Sequence, residues 1–193
     1  MDSLRRSRRG WLTRPVTSSR APRRPRLDRA PASGSGPSGP TSAVVTGGAR
    51  GIGRGIAERL VAAGHRGGIT DVDAAAVTAA ADEIGAAAGV VQDVRDPESH
   101  RRVADEAAGH GALVAWFNNA GVGDAGRLVE LTDEQVRRLV EVNLLGALWG
   151  SRAALDAFGA VEDSGDRRRR SLVLIASLSG LGPVPGLSVY AAT

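Results

Sequence analysis

Short apolar runs of strand type alternate with helical segments from Ser42 to the end of the chain, and no other feature constrains the fold as strongly. This alternation is typical of a parallel sheet whose strands are joined by crossover helices. The last run, 172–176, is apolar at every position and therefore predicts a core strand covered by helices on both faces. The predicted strands are 43–45, 65–70, 89–91, 112–117 and 172–176.

Four helical segments connect these strands. In the first of them Ile56 and Leu60 lie on one face. Ala57 and Ala63 share that face less regularly. The fourth helix is the longest, and Thr132 is its predicted N-cap. The predicted helices are 53–63, 74–84, 97–108 and 133–157, with a polar loop at 159–170.

A glycine-rich turn separates the first strand from the first helix. Glycines permit a tight turn and let backbone N–H groups approach a pyrophosphate at the start of a helix. Asp71 lies 18 residues after Gly53. A carboxylate there accepts hydrogen bonds from a ribose 2′-hydroxyl and repels a 2′-phosphate, so NAD is favoured over NADP, although Arg50 offers a charge to a phosphate. The residues of the turn predicted to contact the dinucleotide are Thr46, Gly47, Arg50, Gly51, Ile52 and Gly53.

Four further motifs follow along the chain. They are Asp93-Val94 after the third strand, Asn118-Asn119-Ala120-Gly121 after the fourth, Asn143 on the long helix, and Ser177 thirteen residues before Tyr190. Together with the spacing of Gly47, Gly51 and Gly53, they resemble the short-chain dehydrogenase/reductase family over residues 43–193. The resemblance implies a Rossmann-type, doubly wound parallel α/β sheet of about five strands in the order 3-2-1-4-5. It also implies hydride transfer between NAD(P) and an alcohol or carbonyl substrate.

The resemblance assigns roles to these residues. In the cofactor site Asp93 contacts adenine, and the site also includes Val94, Asn119, Ala120 and Gly121. Among the catalytic residues, Asn143 holds a water in a proton relay, Ser177 donates a hydrogen bond to the substrate oxygen, and Tyr190 is the general acid and base.

The residue types alone leave alternatives open. Asp93 could cap a helix or a loop instead. Asn118 and Asn119 could bridge neighbouring strand ends through their side chains. Asn143 could be a buried amide with its own partners. Ser179 is a local rival of the predicted serine, and the spacing to the tyrosine decides against it.

The family pattern has a lysine four residues after the tyrosine, and here Tyr190 is followed only by Ala191, Ala192 and Thr193. That lysine favours the phenolate and orients the nicotinamide ribose. A helix cut within its first turn is not stable alone. We therefore expect a fold that is incomplete at the C-terminus, in which the fifth strand becomes an exposed apolar edge, and a chain that is inactive as written.

Basic charge is concentrated before the folded part. Residues 1–41 hold ten arginines against two aspartates, about +8 of charge, so the rest of the chain sums to about −4 of the total of +4. This Arg-, Pro- and Ser-rich tail is expected to be disordered, with one NAD(P)-binding domain at 42–193. The segment Ser7-Arg8-Arg9-Gly10-Trp11-Leu12 resembles a twin-arginine export signal, but Thr13-Arg14-Pro15 follows where an uncharged apolar region would be required, which argues against export.

Composition narrows the remaining classes. The chain has no cysteine, which excludes thiolate metal sites and fits the cytoplasm, and no metal is predicted. No apolar run approaches the roughly 20 residues of a membrane span.

The leading hypothesis is an oxidoreductase with a small alcohol or carbonyl substrate. Its alternatives are dinucleotide binding without turnover and polyanion binding by the tail, although we expect no nucleic acid partner. The family uses the long helix at a subunit interface, which makes a homo-oligomer possible for a full-length member, but its partner helix is the one cut off here, so the oligomeric state stays open.

Overall fold

The computed structural model describes residues 39–163, 165–166, 168–182 and 184–193. Of the tail predicted for residues 1–41, the structure describes only 39–41. The disorder predicted for 1–38 concerns residues outside the described ones. The first strand begins at Thr41, two residues earlier than predicted. The backbone explains this difference, because Thr41 pairs with Ala112 and the N–H of Ala112 donates to the carbonyl of Pro40.

The described residues form the strands β1 (Thr41–Thr46), β2 (Arg66–Asp71), β3 (Ala88–Val91), β4 (Ala112–Asn118) and β5 (Ser171–Leu174). Their helices are α1 (Gly51–Ala62), α2 (Ala74–Ile84), α3 (Pro97–His110), α4 (Asp133–Leu139), α5 (Gly146–Asp163) and α6 (Ser188–Ala192). All strands run parallel in the order β3-β2-β1-β4-β5, which confirms the predicted order and the doubly wound α/β class. No helix in this part of the chain is long and apolar enough to cross a membrane.

Apolar side chains cover both faces of the sheet because successive residues of a strand point to opposite sides. On one face Val44 packs with β4, α3 and α5, and the buried Trp116 lies in this cluster. On the other face Val45 packs with α1 and α2 around the buried Ile69. Most residues of the central strands β1, β2 and β4 are therefore buried, and the carboxyl ends of the strands lie together at one end of the sheet.

β2 is a buried strand although its sequence contains Gly67 and Gly68. These glycines weaken a strand intrinsically, but β1 and β3 pair with β2 on its two sides. In β3, a Cβ on Gly89 would lie 2.8 Å from the carbonyl oxygen of Val77, so the glycine lets α2 approach the sheet closely.

The long helix differs from its prediction in two ways. It continues to Asp163, so the polar loop begins later than expected, and a π-helical turn at Val140–Leu145 interrupts it. Its predicted N-cap is confirmed, since Thr132 Oγ1 accepts the N–H of Gln135 in a capping box. At the end of α1, Ala63 lies one residue beyond the helix and is exposed, so its predicted place on the apolar face was wrong.

The run 172–176 is not a strand covered on both faces, but the expected exposed apolar edge is confirmed. The strand ends at Leu174, which is 56% exposed, and Ile175 is 38% exposed. Among the described residues β5 pairs with β4 alone, so it is the edge of this sheet. An apolar sequence predicts a strand that fits a buried face, but the neighbouring elements decide whether that face is covered.

Candidate cofactor and active site

A cavity of about 450 Å³ opens at the carboxyl ends of the strands, where ligands of open parallel sheets bind. Nine of the twelve residues predicted to contact the cofactor line it: Gly47, Arg50, Ile52, Asp71, Asp93, Val94, Asn119, Ala120 and Gly121. The other three do not line it: Thr46 is the last residue of β1, and Gly51 and Gly53 lie in the first turn of α1. The topology thus brings residues from four separate strand ends to one place.

Two of the glycines in the turn between β1 and α1 are required for different physical reasons. Gly51 has a φ of 58°, a left-handed conformation that side chains rarely adopt, but open space surrounds it. A Cβ on Gly53 would lie 2.3 Å from the carbonyl oxygen of Gly47 and 2.4 Å from Nδ2 of Asn119. Gly51 therefore permits the turn, and Gly53 permits the close packing that holds it.

The start of α1 is suited to an anion. Its N-cap is Arg50, which makes no side-chain capping bond, and no acidic residue lies in the first turn. The N–H groups of that turn therefore lack a side-chain cap and carry the positive end of the helix dipole. These features fit a pyrophosphate, as does the glycine cradle before them.

Hydrogen bonds of Thr46 and Asn119 fix the glycine-rich turn in place. Asn119 Nδ2 donates to the carbonyls of Thr46 and Gly47, both at 2.9 Å. Thr46 Oγ1 accepts the N–H groups of Asn119 and Ala120, both at 3.0 Å. Their polar atoms join the ends of β1 and β4, which is the bridging role left open for Asn119.

Asn118 has a similar architectural role on the next element. Its Oδ1 accepts the indole N–H of Trp116 at 2.9 Å. Its Nδ2 donates to the carbonyl of Ala147 and to Oγ of Ser151. Asn118 therefore joins β4 to α5 rather than facing the cavity.

Asp71 lies at the end of β2 with a half-buried carboxylate in the cavity wall. Its Oδ2 accepts the N–H of Ala49 at 3.3 Å, and its Oδ1 accepts the N–H of Asp73 at 3.4 Å. Both bonds are long. The carboxylate therefore keeps acceptor capacity for a hydroxyl donor beside the glycine-rich turn.

Asp93 lies at the end of β3 in an ion pair with Arg95. Arg95 Nε lies 3.0 Å from both carboxylate oxygens, and its Nη2 lies 2.6 Å from Oδ2. The side-chain bond from Arg95 is the main reason that the pKa of Asp93 lies below its ordinary value, and burial opposes it. The N-cap of α3 is Asp96, so Asp93 does not cap that helix. Asp93 Oδ1 accepts the backbone N–H of Arg95 at 3.0 Å, which agrees with the alternative of a loop cap.

Asn143 lies in the π-helical turn, a feature found frequently at functional sites. Its Oδ1 accepts the N–H of Val122 at 2.9 Å, and its Nδ2 donates to the carbonyl of Val122 at 3.0 Å. A third bond joins Nδ2 to Oγ1 of Thr193 at 3.1 Å. The half-buried amide thus has its own hydrogen-bond partners, which is the alternative left open for Asn143, and it fixes the segment after β4 that lines the cavity.

Ser177 follows β5 by three residues, because β5 ends at Leu174 and not at position 176 as predicted. Its Oγ accepts the N–H of Ser179 at 3.2 Å, at the start of a 3₁₀ turn, Leu178–Gly180. Tyr190 lies within α6, and both side chains are half-buried. In the described part of the chain no hydrogen bond joins Ser177 to Tyr190, and neither residue lines the 450 Å³ cavity.

Sequence reasoning missed several residues of the cavity wall. Gln92 is buried and links Thr70 Oγ1 to Ser99 Oγ through its amide. Arg138 pairs with Asp124 at 3.2 Å. Gln92 directly precedes Asp93, a predicted site acid, so its position could have indicated a place in the cavity wall. No feature of the sequence indicates Arg138. The missed residues are Val72, Gln92, Arg95, Val122, Arg138 and Val142. Within the described ranges no cluster of His, Asp and Glu could hold a metal ion.

This sheet and this cavity define a Rossmann-type nucleotide-binding domain. The sequence profile of the family described as short chain dehydrogenase matches residues 41–193, and the chain belongs to that family of oxidoreductases. It is 36% identical over 154 residues to the sorbitol dehydrogenase of Cereibacter sphaeroides, with 79% of this chain and 58% of that protein covered. It is 34% identical over 160 residues to the L-2,3-butanediol dehydrogenase of Corynebacterium glutamicum, with 78% and 59% covered.

Solved structures agree in fold. A short-chain dehydrogenase/reductase from Burkholderia phymatum in complex with NAD has a TM-score of 0.73 and 31% identity, over 79% of this chain and 54% of that one. A variant of actinorhodin polyketide ketoreductase with NADPH has a TM-score of 0.72 and 30% identity, over 79% and 59%. The chain thus spans less than two thirds of the length of these relatives. The two neighbours support NAD(P) as the cofactor class.

Proposed function

We propose that this protein is an NAD-dependent oxidoreductase that transfers hydride between nicotinamide and a small alcohol or carbonyl compound. The position of Asp71 carries the choice of cofactor. Its carboxylate lies in the cavity wall, within hydrogen-bond distance of the N–H of Ala49 in the glycine-rich turn. A ribose beside that turn meets an acceptor for its 2′-hydroxyl, and a 2′-phosphate meets a negative charge. Arg50 in the same wall favours the opposite choice, but it is exposed.

Calorimetric titration of the purified chain with NAD⁺ and NADP⁺ tests this proposal. A hydrogen bond to a charged group contributes about 1.5–3 kcal/mol, so NAD⁺ should bind roughly tenfold more tightly or better. Asp71→Asn should bring the two affinities close together. Asp105→Asn is the matched control, because this exposed aspartate on α3 does not line the cavity. Tighter binding of NADP⁺ to the unaltered chain would contradict the assignment.

The chemistry rests on Ser177 and Tyr190. Because Ser177 Oγ accepts the N–H of Ser179, its own hydrogen is free to be donated to a substrate oxygen. In alcohol oxidation, the phenolate of Tyr190 takes the hydroxyl proton, and in carbonyl reduction the phenol returns it. Nicotinamide, when bound, accepts the hydride from the alcohol carbon or supplies it to the carbonyl carbon. Asn143 supports the site by holding Val122 in the cavity wall.

The names of the relatives favour a substrate with neighbouring oxygen functions. They include a sorbitol dehydrogenase, an L-2,3-butanediol dehydrogenase, a galactitol 2-dehydrogenase and a diacetyl reductase. A panel of small polyols, vicinal diols and diketones, followed through the absorbance of reduced nicotinamide, tests the substrate class. In a protein that turns over a panel member, Tyr190→Phe should lower turnover by about 10²–10⁴ and leave the affinity for NAD⁺ unchanged. Binding of NAD⁺ without turnover of any panel member would agree with the expected inactivity of the chain as written and would favour dinucleotide binding without turnover.

The cellular location and the oligomeric state of the protein are further proposals. The sequence contains no cysteine, which supports a cytoplasmic protein. Leu144, Leu148 and Leu155 are exposed along the π-helical turn and α5, which supports a homo-oligomer through this helix. Light scattering of the unaltered chain and of Leu148→Glu would test the assembly, and a monomer in both cases would contradict it.

A further inference from the structure

One end of the segment 122–126, which follows β4, is attached to the chain that leads to Tyr190. The N–H of Gly126 donates to the carbonyl of Gly186 at 2.8 Å, and Gly186 lies four residues before Tyr190. This bond fixes the end of the segment next to the turn that precedes α6.

The other end of the segment is attached to the chain that follows Tyr190. Asn143 binds both backbone groups of Val122, at 2.9 and 3.0 Å, and its Nδ2 also donates to Oγ1 of Thr193 at 3.1 Å. Thr193 Oγ1 in turn donates to the carbonyl of Tyr190 at 2.9 Å. The segment 122–126 is therefore bonded, directly or through one side chain, to residues on both sides of the proposed general acid and base.

Between these two ends the segment is held by an ion pair. Nη2 of Arg138, on α4, lies 3.2 Å from Oδ2 of Asp124, whose side chain is 19% exposed. Oδ2 is buried and accepts no hydrogen bond from the described residues, so the contact with Arg138 is an ion pair without the alignment of a hydrogen bond. A buried carboxylate oxygen is unfavourable unless a charge or a donor compensates it. Arg138 supplies that charge.

Arg138 also connects this segment to the cavity and to the helix of Tyr190. With Val122 it lines the 450 Å³ cavity proposed for the dinucleotide, where its side chain is 49% exposed. Its helix α4 contacts α6, which carries Tyr190. The ion pair thus lies between the cofactor cavity and the chain around the tyrosine.

We propose that Asp124 and Arg138 are positioning residues that hold the segment 122–126 against the chain around Tyr190 and thereby fix this tyrosine relative to the dinucleotide cavity. This inference rests on the proposed function, because it takes Tyr190 as the general acid and base. Such a group must lie within hydrogen-bond reach of the proton that it transfers. A pair that fixes its helix therefore affects the chemistry without contacting the transferred proton.

The test follows Tyr190 directly, since the chain has a single tyrosine. In protein made with isotope-labelled tyrosine, NMR reports the ring signals of Tyr190, and hydrogen exchange of the Gly126 amide reports its bond to Gly186. Arg138→Gln leaves the oxygen of Asp124 buried without compensation. It should shift or broaden the ring signals and speed exchange at Gly126 roughly tenfold. Amides of β1 and α2 should keep their exchange rates, which a general loss of stability would change.

Two variants serve as controls for charge and for place. Arg127→Gln is matched to Arg138→Gln, because Arg127 pairs with Glu130 three residues away in the same loop and its side chain is 76% exposed. It should leave the ring signals and the exchange at Gly126 unchanged. Arg138→Lys keeps the charge but not the fork of a guanidinium. Because the contact is an ion pair without hydrogen-bond alignment, the Lys variant should restore most of the unaltered behaviour.

Removal of the acid should have a smaller effect than removal of the base. In Asp124→Asn no charge is left buried, and the half-exposed Arg138 is solvated. The double variant should therefore resemble Asp124→Asn and not the sum of the two single changes.

Unchanged signals of Tyr190 and Gly126 in Arg138→Gln would overturn this inference. The same response in Arg127→Gln, no recovery in Arg138→Lys, or faster exchange throughout the sheet would also overturn it. These measurements use no cofactor, so such results would leave the proposed function standing. If the unaltered chain bound neither NAD⁺ nor NADP⁺, the proposed function would fail, and the role of Tyr190 in this inference would fail with it.

Discussion

Gly53 is the position at which the structure makes its sharpest prediction for stability. A Cβ there would lie 2.3 Å from the carbonyl oxygen of Gly47, and this neighbour is backbone and cannot rotate away. It would also lie 2.4 Å from Nδ2 of Asn119, which is held by two carbonyls. Gly53→Ala must therefore separate α1 from the end of β1 or break the bonds of Asn119. Gly55 lies two residues further along α1 in open space.

Substitution by alanine should lower the stability of the protein at Gly53 and raise it at Gly55. Overpacking at Gly53 should cost about 1–3 kcal/mol, partly offset by the gain of about 0.5–1 kcal/mol from replacing a helical glycine by alanine. Gly55→Ala should show only that gain. In thermal unfolding followed by circular dichroism, Gly53→Ala should lower the midpoint by several degrees, since about 1 kcal/mol moves a domain of this size by about 2–4 °C. Equal midpoints for the two variants would refute the close packing.

The remaining predictions concern a buried histidine and a helix cap. Burial lowers the pKa of His100, whose Nε2 donates to the carbonyl of Val94 while Nδ1 has no partner among the described residues. The unfolded chain should thus gain a proton near pH 6.5 that the fold does not accept. Stability should fall as pH drops below that value, and His100→Phe should flatten this slope in urea unfolding at several pH values; an unchanged slope would contradict it. Thr132→Ala should cost about 1 kcal/mol by loss of the capping box, and Thr78→Ala, on the exposed side of α2, should cost less in the same assay.

Much of the fold could be predicted from local sequence patterns. Alternating strand and helix patterns allow few arrangements, because crossovers between parallel strands are right-handed and short. The predicted bounds of α2 agreed with the structure at both ends. The glycine-rich turn and Asp71 could be predicted as neighbours because parallel strands bring their carboxyl ends to one edge.

Other features depend on contacts between distant elements, which a local pattern does not contain. The π-helical turn at Val140–Leu145 coincides with the bonds between Asn143 and the backbone of Val122, 21 residues earlier in the chain. The exposure of Leu174 follows from its place at the edge of the described sheet. Apolar composition alone could not separate this edge strand from a central one.

The two acids of the site, Asp71 and Asp93, show that a motif can predict the position of a residue without predicting its partners. Asp71 and Asp93 each follow a strand at the same sheet edge, so their places were predictable from one rule. Their surroundings differ because Arg95 contacts both carboxylate oxygens of Asp93, whereas the donors to Asp71 among the described residues are two backbone N–H groups. A motif that specifies the acid leaves its partner two residues later unspecified. The two acids therefore present different acceptor capacity to the same cavity, and the residue that causes this difference lies outside the motif.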